Sequence, residues 1–367
     1  MGTSPAGHLT CNVEPAPLPA DPRGRSVPIP GVSYEAARCD VSEADRATGS
    51  YKALKKFTKS HHADYWKFRG GPAGLHIFSR TSGLNVLIDE IPVPAVLQSR
   101  APRQVSIALT NRCDLTCAHC YAPKSGDELR FDVVTQWLAE LDSHGALGVS
   151  FGGGEPTLYP EFESLCQYVA RETRLSVSFT THGHHIDDVL AEGLRGSVNF
   201  VRVSMDGVGA TYESIRRRPF PALLARLKHV RSISSFGVNV LINERTLPDL
   251  DETVIVAADA GACELLLLPQ LPVRGVPAIL PDTLQDLRRW VDSYSGPLKL
   301  CINEVSADGF PICDPLAEER GLQAYAHIDA MGVLKPSSYA ETGVQLGDDG
   351  VLRAIDQLAQ DLAENDR

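Results

Sequence analysis

Three cysteines lie within eight positions in the segment CDLTCAHCY (113–121), at Cys113, Cys117 and Cys120. The chain has nine cysteines in 367 residues, too few for a disulfide framework, so this cluster indicates metal binding or catalysis. A structural zinc site takes four ligands, and the nearby candidate His119 is wedged between two of the cysteines. A 4Fe–4S cluster also takes four ligands, so three thiolates would leave one iron open to a reactive partner.

Strand-like and helix-like segments alternate from residue 103 onward. The β-rich runs span 104–110, 147–153, 175–183, 198–207, 237–243 and 264–270, and the helical patterns span 131–145, 161–173, 185–194, 221–233 and 250–262. The alternation predicts right-handed β/α units and a parallel sheet of six strands, either a partial barrel or an open doubly wound sheet. In both arrangements the active site lies in loops at the carboxyl ends of the strands, where the cysteine segment falls.

A second short motif, GGGEP at residues 152–156, ends the second predicted strand. The spacing C-x3-C-x2-C followed by Tyr121, together with GGGEP, resembles the cluster loop and the GGE motif of the radical S-adenosylmethionine (radical SAM) enzymes. The segment SVSFTTHG (176–183) resembles the position where the family often has TNG, with His182 replacing Asn. The segment VSMDG (203–207) resembles the family's SxDG strand end.

The resemblance covers residues 103–270 and implies an α/β fold with a partial (β/α)6 radical SAM barrel. It implies one 4Fe–4S cluster on the three cysteines, with SAM chelating the open iron through its amino nitrogen and carboxylate. An electron from a donor such as flavodoxin or ferredoxin would cleave the sulfonium bond. The resulting 5′-deoxyadenosyl radical would then abstract hydrogen from a substrate.

Cofactor-binding candidates follow from the same resemblance. Backbone at Gly152, Gly153 and Gly154 can approach SAM closely because no Cβ intervenes, and Glu155 can accept a hydrogen bond from its ammonium group. The other candidates lie beside the cluster or at strand ends: Tyr121 (against the adenine), Thr181, Ser204, Asp206, Asn239, Asn243 and Gln270. An ordinary strand-end cap is the alternative for the polar residues, and Gln270 could instead contact the substrate.

Residues 301–367 are predicted to form a small C-terminal α+β extension. The segment AHIDAMGVLKPSS (326–338) resembles the hairpin of SPASM or twitch extensions, which house auxiliary iron–sulfur clusters, but Ser337 stands where that family has cysteine. A serine oxygen is a poor ligand for iron–sulfur chemistry, so we expect a degenerate extension without an auxiliary cluster. The alternative is a second cluster that recruits cysteines from both ends of the chain: Cys301 and Cys313 with Cys11 or Cys39.

Several residues outside these motifs have simpler interpretations. Cys313 is also a candidate hydrogen-atom donor, because a C-terminal cysteine plays that part in some radical SAM enzymes. Cys166 and Cys263 fall in helix-like patterns and are predicted core residues. The histidines at 182, 184 and 185 share no good metal geometry and are expected to be surface or substrate-facing. The run Arg216–Arg218 is expected to be solvated or to grip one anionic group.

Residues 1–100 are predicted to form an N-terminal extension to a barrel at 101–300. Seven prolines within residues 1–30 indicate a flexible lead. Two pairs are interpreted as packing residues: His61-His62 and Tyr65-Trp66. Alternating apolar runs predict a β-hairpin at 74–91, which could accept a peptide leader by strand addition.

Charge and hydropathy limit the classes of function. The net charge of −11 argues against a nucleic-acid partner. The sequence has no eighteen-residue apolar run and no secretory signal pattern, so we expect a cytoplasmic protein without a membrane partner. Modification of a ribosomally made peptide is the favoured function. A small metabolite such as an amino sugar or nucleoside in natural-product biosynthesis is the alternative substrate, and an iron–sulfur sensor or a zinc domain are the alternative classes.

Overall fold

The computed structural model describes residues 66–314 and 316–365. Predictions for the N-terminal lead lie outside the described residues: those for 1–30, Cys11, Cys39, His61, His62 and Tyr65. The described part opens with a three-stranded antiparallel sheet in the order β1 (Trp66–Gly71), β2 (Gly74–Ser79) and β3 (Asn85–Ile88). The predicted hairpin at 74–91 is formed by β2 and β3, with Gly83 at φ 71° in the turn between them.

A second sheet of ten strands organises the rest of the described chain. Its strands are β4 (Gln104–Thr110), β5 (Gly148–Gly153), β6 (Ser176–Thr181), β7 (Phe200–Ser204), β8 (Phe236–Ile242), β9 (Glu264–Pro269), β10 (Lys299–Ile302), β11 (Tyr325–Ile328), β12 (Val333–Lys335) and β13 (Val344–Gln345). The spatial order is β10-β9-β8-β7-β6-β5-β4-β11-β12-β13. Pairing is parallel from β10 through β11 and antiparallel for β12 and β13. All six predicted strands are present as β4–β9, in an open, partial barrel.

Helices connect these strands and cover the outer face of the sheet. Within the described residues they are α1 (Phe131–Ser143), α2 (Phe162–Glu172), α3 (Asp188–Leu194), α4 (Gly209–Arg216), α5 (Phe220–Ile233), α6 (Leu250–Asp259), α7 (Pro281–Ser293) and α8 (Val351–Asn365). The sequence pattern predicts α1, α2, α3, α5 and α6 but not the other three. None of the described helices combines the length and the apolar character of a membrane span.

The core lies between the outer face of the sheet and the helices. On β4, Val105, Ile107 and Leu109 are fully buried in this core, while Ser106 lines a cavity, as the two-residue period of a strand requires. Helix α1 turns one face toward the core, with buried residues at the i, i+3, i+4 and i+7 positions of an amphipathic helix: Val134, Trp137, Leu138 and Leu141.

The C-terminal residues join the main sheet directly. Strand β11 pairs in parallel with β4, with His327 opposite Ser106, and the segment 326–338 forms the β11–β12 hairpin. Glu140 on α1 accepts hydrogen bonds from the backbone nitrogens of Val351 (2.7 Å) and Leu352 (3.2 Å), and so caps the start of α8.

A buried ion triad ties the N-terminal sheet to the segment that leads into β11. The Arg69 guanidinium on β1 donates to Glu319 Oε1 at 2.8 Å, and Arg103 donates to Glu319 Oε2 at 2.9 Å. Arg69 also donates to three backbone carbonyls, those of Ala101, Gly145 and Gln323. Because the Arg69 side chain is only 1 % exposed, one residue of the N-terminal sheet fixes chain segments far apart in sequence.

Candidate active site

A cavity of about 230 Å³ opens at the carboxyl ends of the parallel strands. Most of the predicted site residues line it: Cys113, Cys117, Cys120, Tyr121, Gly152, Gly153, Gly154, Glu155, Thr181, Ser204, Asp206, Asn239 and Gln270. Two of the predicted residues, Asn243 and Cys313, are not among its lining. The loops after successive strands therefore bring residues from 113 to 270 of the sequence together at one site.

The three cysteines lie in the loop between β4 and α1, and all three are partly exposed. Burial raises the pKa of the Cys113 and Cys117 thiols, so their thiolates need a nearby positive charge. Two cations that the sequence motifs do not reveal lie within reach. Lys124 Nζ is 3.5 Å from the sulfur of Cys120, and Arg216 Nη1 is 3.7 Å from the sulfur of Cys117. Bound iron would supply the rest of the compensating charge.

The glycine motif follows β5 and packs closely against the chain around the cysteine loop. A Cβ on Gly153, whose φ is 115°, would lie 2.3 Å from the Thr110 carbonyl oxygen, and one on Gly154 would lie 2.2 Å from that of Arg112. A Cβ on Gly152 would meet no atom within 4 Å. Two of the glycines are thus required by the protein's own packing, and Gly152 is the one that leaves room in the cavity.

Glu155 is 1 % exposed, and its carboxylate is surrounded by protein donors. One oxygen accepts from both the backbone and the hydroxyl of Thr157 and from the hydroxyl of Thr181 at 2.8 Å. The other accepts from the backbone nitrogen of His182 at 3.0 Å. These bonds join the end of β5 to the end of β6, so the carboxylate positions both strand ends at the cavity.

Asp206 and Arg216 form a buried ion pair beside the cysteine loop. Asp206 Oδ2 lies 2.6 Å from Arg216 Nε and 3.4 Å from His119 Nε2, and its Oδ1 accepts from the Leu241 backbone nitrogen at 2.9 Å. Burial alone would raise the pKa of Asp206, but the charge of Arg216 brings it below its usual value. The prediction that this arginine run grips an anionic group is confirmed for Arg216.

The strand-end amides have protein partners of their own. Asn243 donates to Gln270 Oε1 at 2.8 Å and accepts from the backbone nitrogens of the two residues of the following turn, Arg245 and Thr246. Gln270 in turn donates to the Pro277 carbonyl. This arrangement makes Asn243 a strand-end cap, while Gln270 still lines the cavity.

Asp114, in the cysteine loop, lies within ion-pair distance of three basic side chains. Its carboxylate lies 2.9 Å from His182 Nε2, 3.3 Å from His185 Nε2 and 2.6 Å from Arg218. Ligand atoms of Cys113, Asp114 and His182 lie within 4.8 Å of one another. His182 is buried and lines the cavity, so the surface alternative for this histidine is wrong, whereas the substrate-facing one agrees with its position.

The remaining cysteines are spread over different surroundings. Cys166 is buried in α2, as predicted, but the prediction of a core position for Cys263 is wrong. Helix α6 ends at Asp259, before Cys263, which therefore falls at an exposed position directly before β9. Cys313 is exposed and does not line the cavity, so its hydrogen-donor role stays a prediction without structural support.

One wall of the cavity consists mostly of residues that were not predicted to lie at the site. This aromatic wall comprises Ser106 on β4, Tyr325 and His327 on β11, Tyr339 and the predicted Tyr121. The rings of Tyr121 and Tyr339 lie 5.3 Å apart, and those of Tyr121 and His327 lie 6.4 Å apart. The wall exists because β11 pairs with β4 across more than two hundred residues of sequence.

Residues 107–255, which carry the cysteine loop and the glycine motif, match the family model described as Radical SAM superfamily. The segment 107–255 is a radical SAM domain. The family to which this segment matches implies an iron–sulfur cluster and SAM.

Individual relatives differ in their named activities. The AdoMet-dependent heme synthase of Methanosarcina barkeri (strain Fusaro / DSM 804) is 28 % identical over 176 residues, 46 % of this chain and 50 % of that protein. The mycofactocin maturase MftC of Mycobacterium tuberculosis (strain CDC 1551 / Oshkosh) is 29 % identical over 184 residues, 47 % of each chain. The chain thus matches about half the length of these curated relatives.

A solved structure supports the fold assignment. The crystal structure of Streptococcus suis SuiB bound to precursor peptide SuiA superposes with a TM-score of 0.64 over 80 % of this chain and 87 % of that one. The two sequences are 13 % identical, so the likeness shows a shared fold.

Proposed function

We propose that this chain is a radical SAM enzyme that modifies a peptide. Its 4Fe–4S cluster would be held by Cys113, Cys117 and Cys120, and SAM would lie beside Gly152 in the same cavity. When bound, the cluster and SAM supply reductive cleavage of SAM to a 5′-deoxyadenosyl radical that takes hydrogen from the substrate. The observation that carries the proposal is the meeting of three thiols and the glycine motif in one cavity at the strand ends.

In this chemistry the protein would hold the cluster and SAM in position and shield the reacting groups from solvent. Lys124 and Arg216 stabilise thiolates in a partly buried loop, and Asp206 keeps Arg216 in place. Glu155 fixes the backbone of the two strand ends against which SAM would bind. With substrate bound, the cavity walls would shield a reactive radical from bulk water.

Cluster binding is tested by iron and sulfide analysis after anaerobic reconstitution. Wild type should hold about four irons per chain, in line with a single cluster. Cys117→Ala should abolish this content, while Cys263→Ala, which removes an exposed thiol outside the cavity, should not change it. About eight irons per chain would instead indicate an auxiliary cluster. One zinc per chain and no iron would contradict the proposal and indicate a structural zinc domain.

Catalysis is tested by 5′-deoxyadenosine formation from SAM with dithionite or with a flavodoxin or ferredoxin system as the electron donor. In the contrary case, SAM would not change the EPR signal of the cluster-loaded protein and no 5′-deoxyadenosine would form. That result would indicate a sensor rather than an enzyme. Stimulation of product formation by the peptide fraction or by the small-molecule fraction of a cell extract would then choose the substrate class.

A peptide substrate is supported by two observations. SuiB, which shares the fold, was crystallised with a precursor peptide. In this chain, β3 is an outer strand of the N-terminal sheet and pairs only with β2 among the described residues, so a peptide can add to it as a further strand. Val86→Lys would place a charge on this edge and should weaken peptide processing, whereas Val96→Lys, at an 88 % exposed position outside the sheet, is the control.

A small-molecule substrate is the second candidate. It is favoured by the relative named as an AdoMet-dependent heme synthase, and rings such as those of Tyr121 and Tyr339 can pack against a planar molecule. For this substrate, neither Val86→Lys nor Val96→Lys should change turnover.

A further inference from the structure

A chain of short hydrogen bonds runs along the aromatic wall. Ser106 Oγ lies 2.6 Å from Tyr325 Oη and 2.6 Å from His327 Nδ1. Tyr325 is 5 % exposed and His327 is 3 % exposed, yet all three residues line the cavity. None of them belongs to the cysteine loop or to the residues proposed to hold SAM, so the proposed mechanism leaves this group without a role.

The two outer members of this hydrogen-bonded group, the His327 imidazole and the Tyr325 phenol, are uncharged over a wide pH range. Burial lowers the pKa of His327 to about 4, and burial raises the pKa of Tyr325 to about 12. The imidazole and the phenol therefore offer hydrogen bonds from neutral groups at physiological pH.

Because Ser106 has a single hydroxyl proton, it can donate to only one of its two neighbours at a time, and the hydrogen bonds can therefore run in either direction. If Ser106 donates to His327 Nδ1, then Tyr325 donates to Ser106, the imidazole keeps its proton on Nε2, and the phenol oxygen is left as an acceptor. If Ser106 donates to Tyr325 instead, the phenol keeps a proton to donate and Nε2 becomes the acceptor. Within the described residues Nε2 has no hydrogen-bond partner, so in either state the wall can present one donor and one acceptor to a ligand.

An amide group has the matching chemistry. Its N–H and C=O are one donor and one acceptor, it is neutral, and its flat faces suit packing against the rings of Tyr121 and Tyr339. A free carboxylate or ammonium group would lose hydration against neutral partners, which is costly without a countercharge. Lys124 lies on the cysteine-loop side, beside the sulfur of Cys120.

We propose that the aromatic wall is a substrate subsite that binds an uncharged amide, such as a peptide unit, in preference to a free amino acid or acid. The inference rests on the proposed function, because it assumes that SAM occupies the side of the cavity next to the glycine motif, which leaves the Tyr121 ring to the substrate rather than to the adenine. The proposed function does not say which chemical group of the substrate lies against the aromatic wall, and the inference names that group.

Three probes that share one side chain test the inference. They are N-acetylleucine N-methylamide, which is neutral, N-acetylleucine, which is an anion, and leucine, which is a zwitterion. Each is titrated by ligand-observed NMR into cluster-loaded, SAM-saturated full-length protein. We expect the diamide to bind about tenfold more tightly than either charged probe. Comparable affinities, tighter binding of the anion through Lys124, or no binding of any probe would overturn the inference.

Variants connect the preference to the wall. Tyr325→Phe and His327→Phe should each weaken diamide binding about five- to tenfold, the effect of losing one hydrogen bond. Tyr168→Phe, the same deletion on the outer helix α2, should have no effect. Ser106→Ala provides a second test if either variant folds poorly. Unchanged diamide affinity in folded wall variants would contradict the assignment.

The failure of this inference can be told apart from the failure of the proposed function. The same preparations are assayed for 5′-deoxyadenosine formed from SAM with dithionite. Product formation without an amide preference would reject only the subsite. An amide preference that depends on Tyr325 and His327, without any product from a cluster-loaded protein, would support the subsite and reject the enzymatic function.

Discussion

Replacing Glu319 by alanine should destabilise the fold much more than removing a surface carboxylate. The side chains of Glu319 and Arg69 are 2 % and 1 % exposed, and Glu319 also accepts from Arg103. Its loss would leave two guanidinium groups in a buried site without their shared anion. Removing one partner of a buried ion pair costs about 3–5 kcal/mol. The three carbonyl oxygens that still accept from Arg69 should keep the cost within that range.

The chain offers a matched pair on its surface. Arg100 and Asp356 are joined at 2.7 Å, but their side chains are 56 % and 58 % exposed. Asp356→Ala should therefore cost about 0–1 kcal/mol, since an exposed pair is screened by water. Glu319→Gln, which keeps the shape and one acceptor but loses the charge, should fall between the two alanine variants.

Urea unfolding of the cluster-free protein, followed by circular dichroism, measures these differences. The side chain of Arg69 also holds the Gln323 carbonyl, just before β11, so the Glu319 variants should lose hydrogen-exchange protection in β11 as well. If Glu319→Ala and Asp356→Ala differed by less than about 1 kcal/mol, the reasoning about burial would be refuted. Normal protection of β11 in Glu319→Ala would refute the link between the N-terminal sheet and the cavity wall.

Three further predictions concern the cavity. Gly153→Ala should reduce SAM affinity at least tenfold in equilibrium dialysis. The new Cβ would collide with the Thr110 carbonyl, and the positive φ of this residue disfavours any side chain. Near-normal SAM binding would contradict this packing argument. Asp206→Asn should lower the free energy of urea unfolding by about 3 kcal/mol by leaving Arg216 without its buried countercharge, and a change under 1 kcal/mol would exclude that role. His327 has a folded pKa of about 4 against an ordinary 6.5, so between these values the unfolded chain binds more protons and stability falls as the pH is lowered. His327→Gln should lose this part of the pH dependence, on the order of 3 kcal/mol between pH 7 and pH 4, and a parallel profile would show that His327 does not cause it.

Local patterns predict the part of the site that is built from successive β/α units. The cysteine loop, the glycine motif and Asp206 each follow a strand whose alternation is visible in the sequence, so their meeting at one edge follows from parallel topology. The short helix α4 is not predicted because it lies directly before α5, and α8 follows a segment without a β/α rhythm.

The aromatic wall could not be predicted in this way. Tyr325 and His327 become cavity residues only because β11 pairs with β4, and no local pattern specifies a partner more than two hundred residues away. Arg216 is visible as a charge but not as a neighbour of Cys117, since that contact depends on how α4 ends. Long-range pairing and helix-end geometry are tertiary properties, whereas periodicity reports only the face that an element buries.

The pairing of β4 with β11 also affects the order of events during synthesis. Residues 104 and 325 are register partners, so 221 residues must be made before the outer edge of β4 is covered. At 5–20 residues per second, this edge stays unpaired on the ribosome for about 11–44 s. An open, apolar edge strand is a template for aggregation. The growing chain also carries its three reactive thiols for that whole interval, so early loading of iron or binding by a chaperone would favour a productive fold.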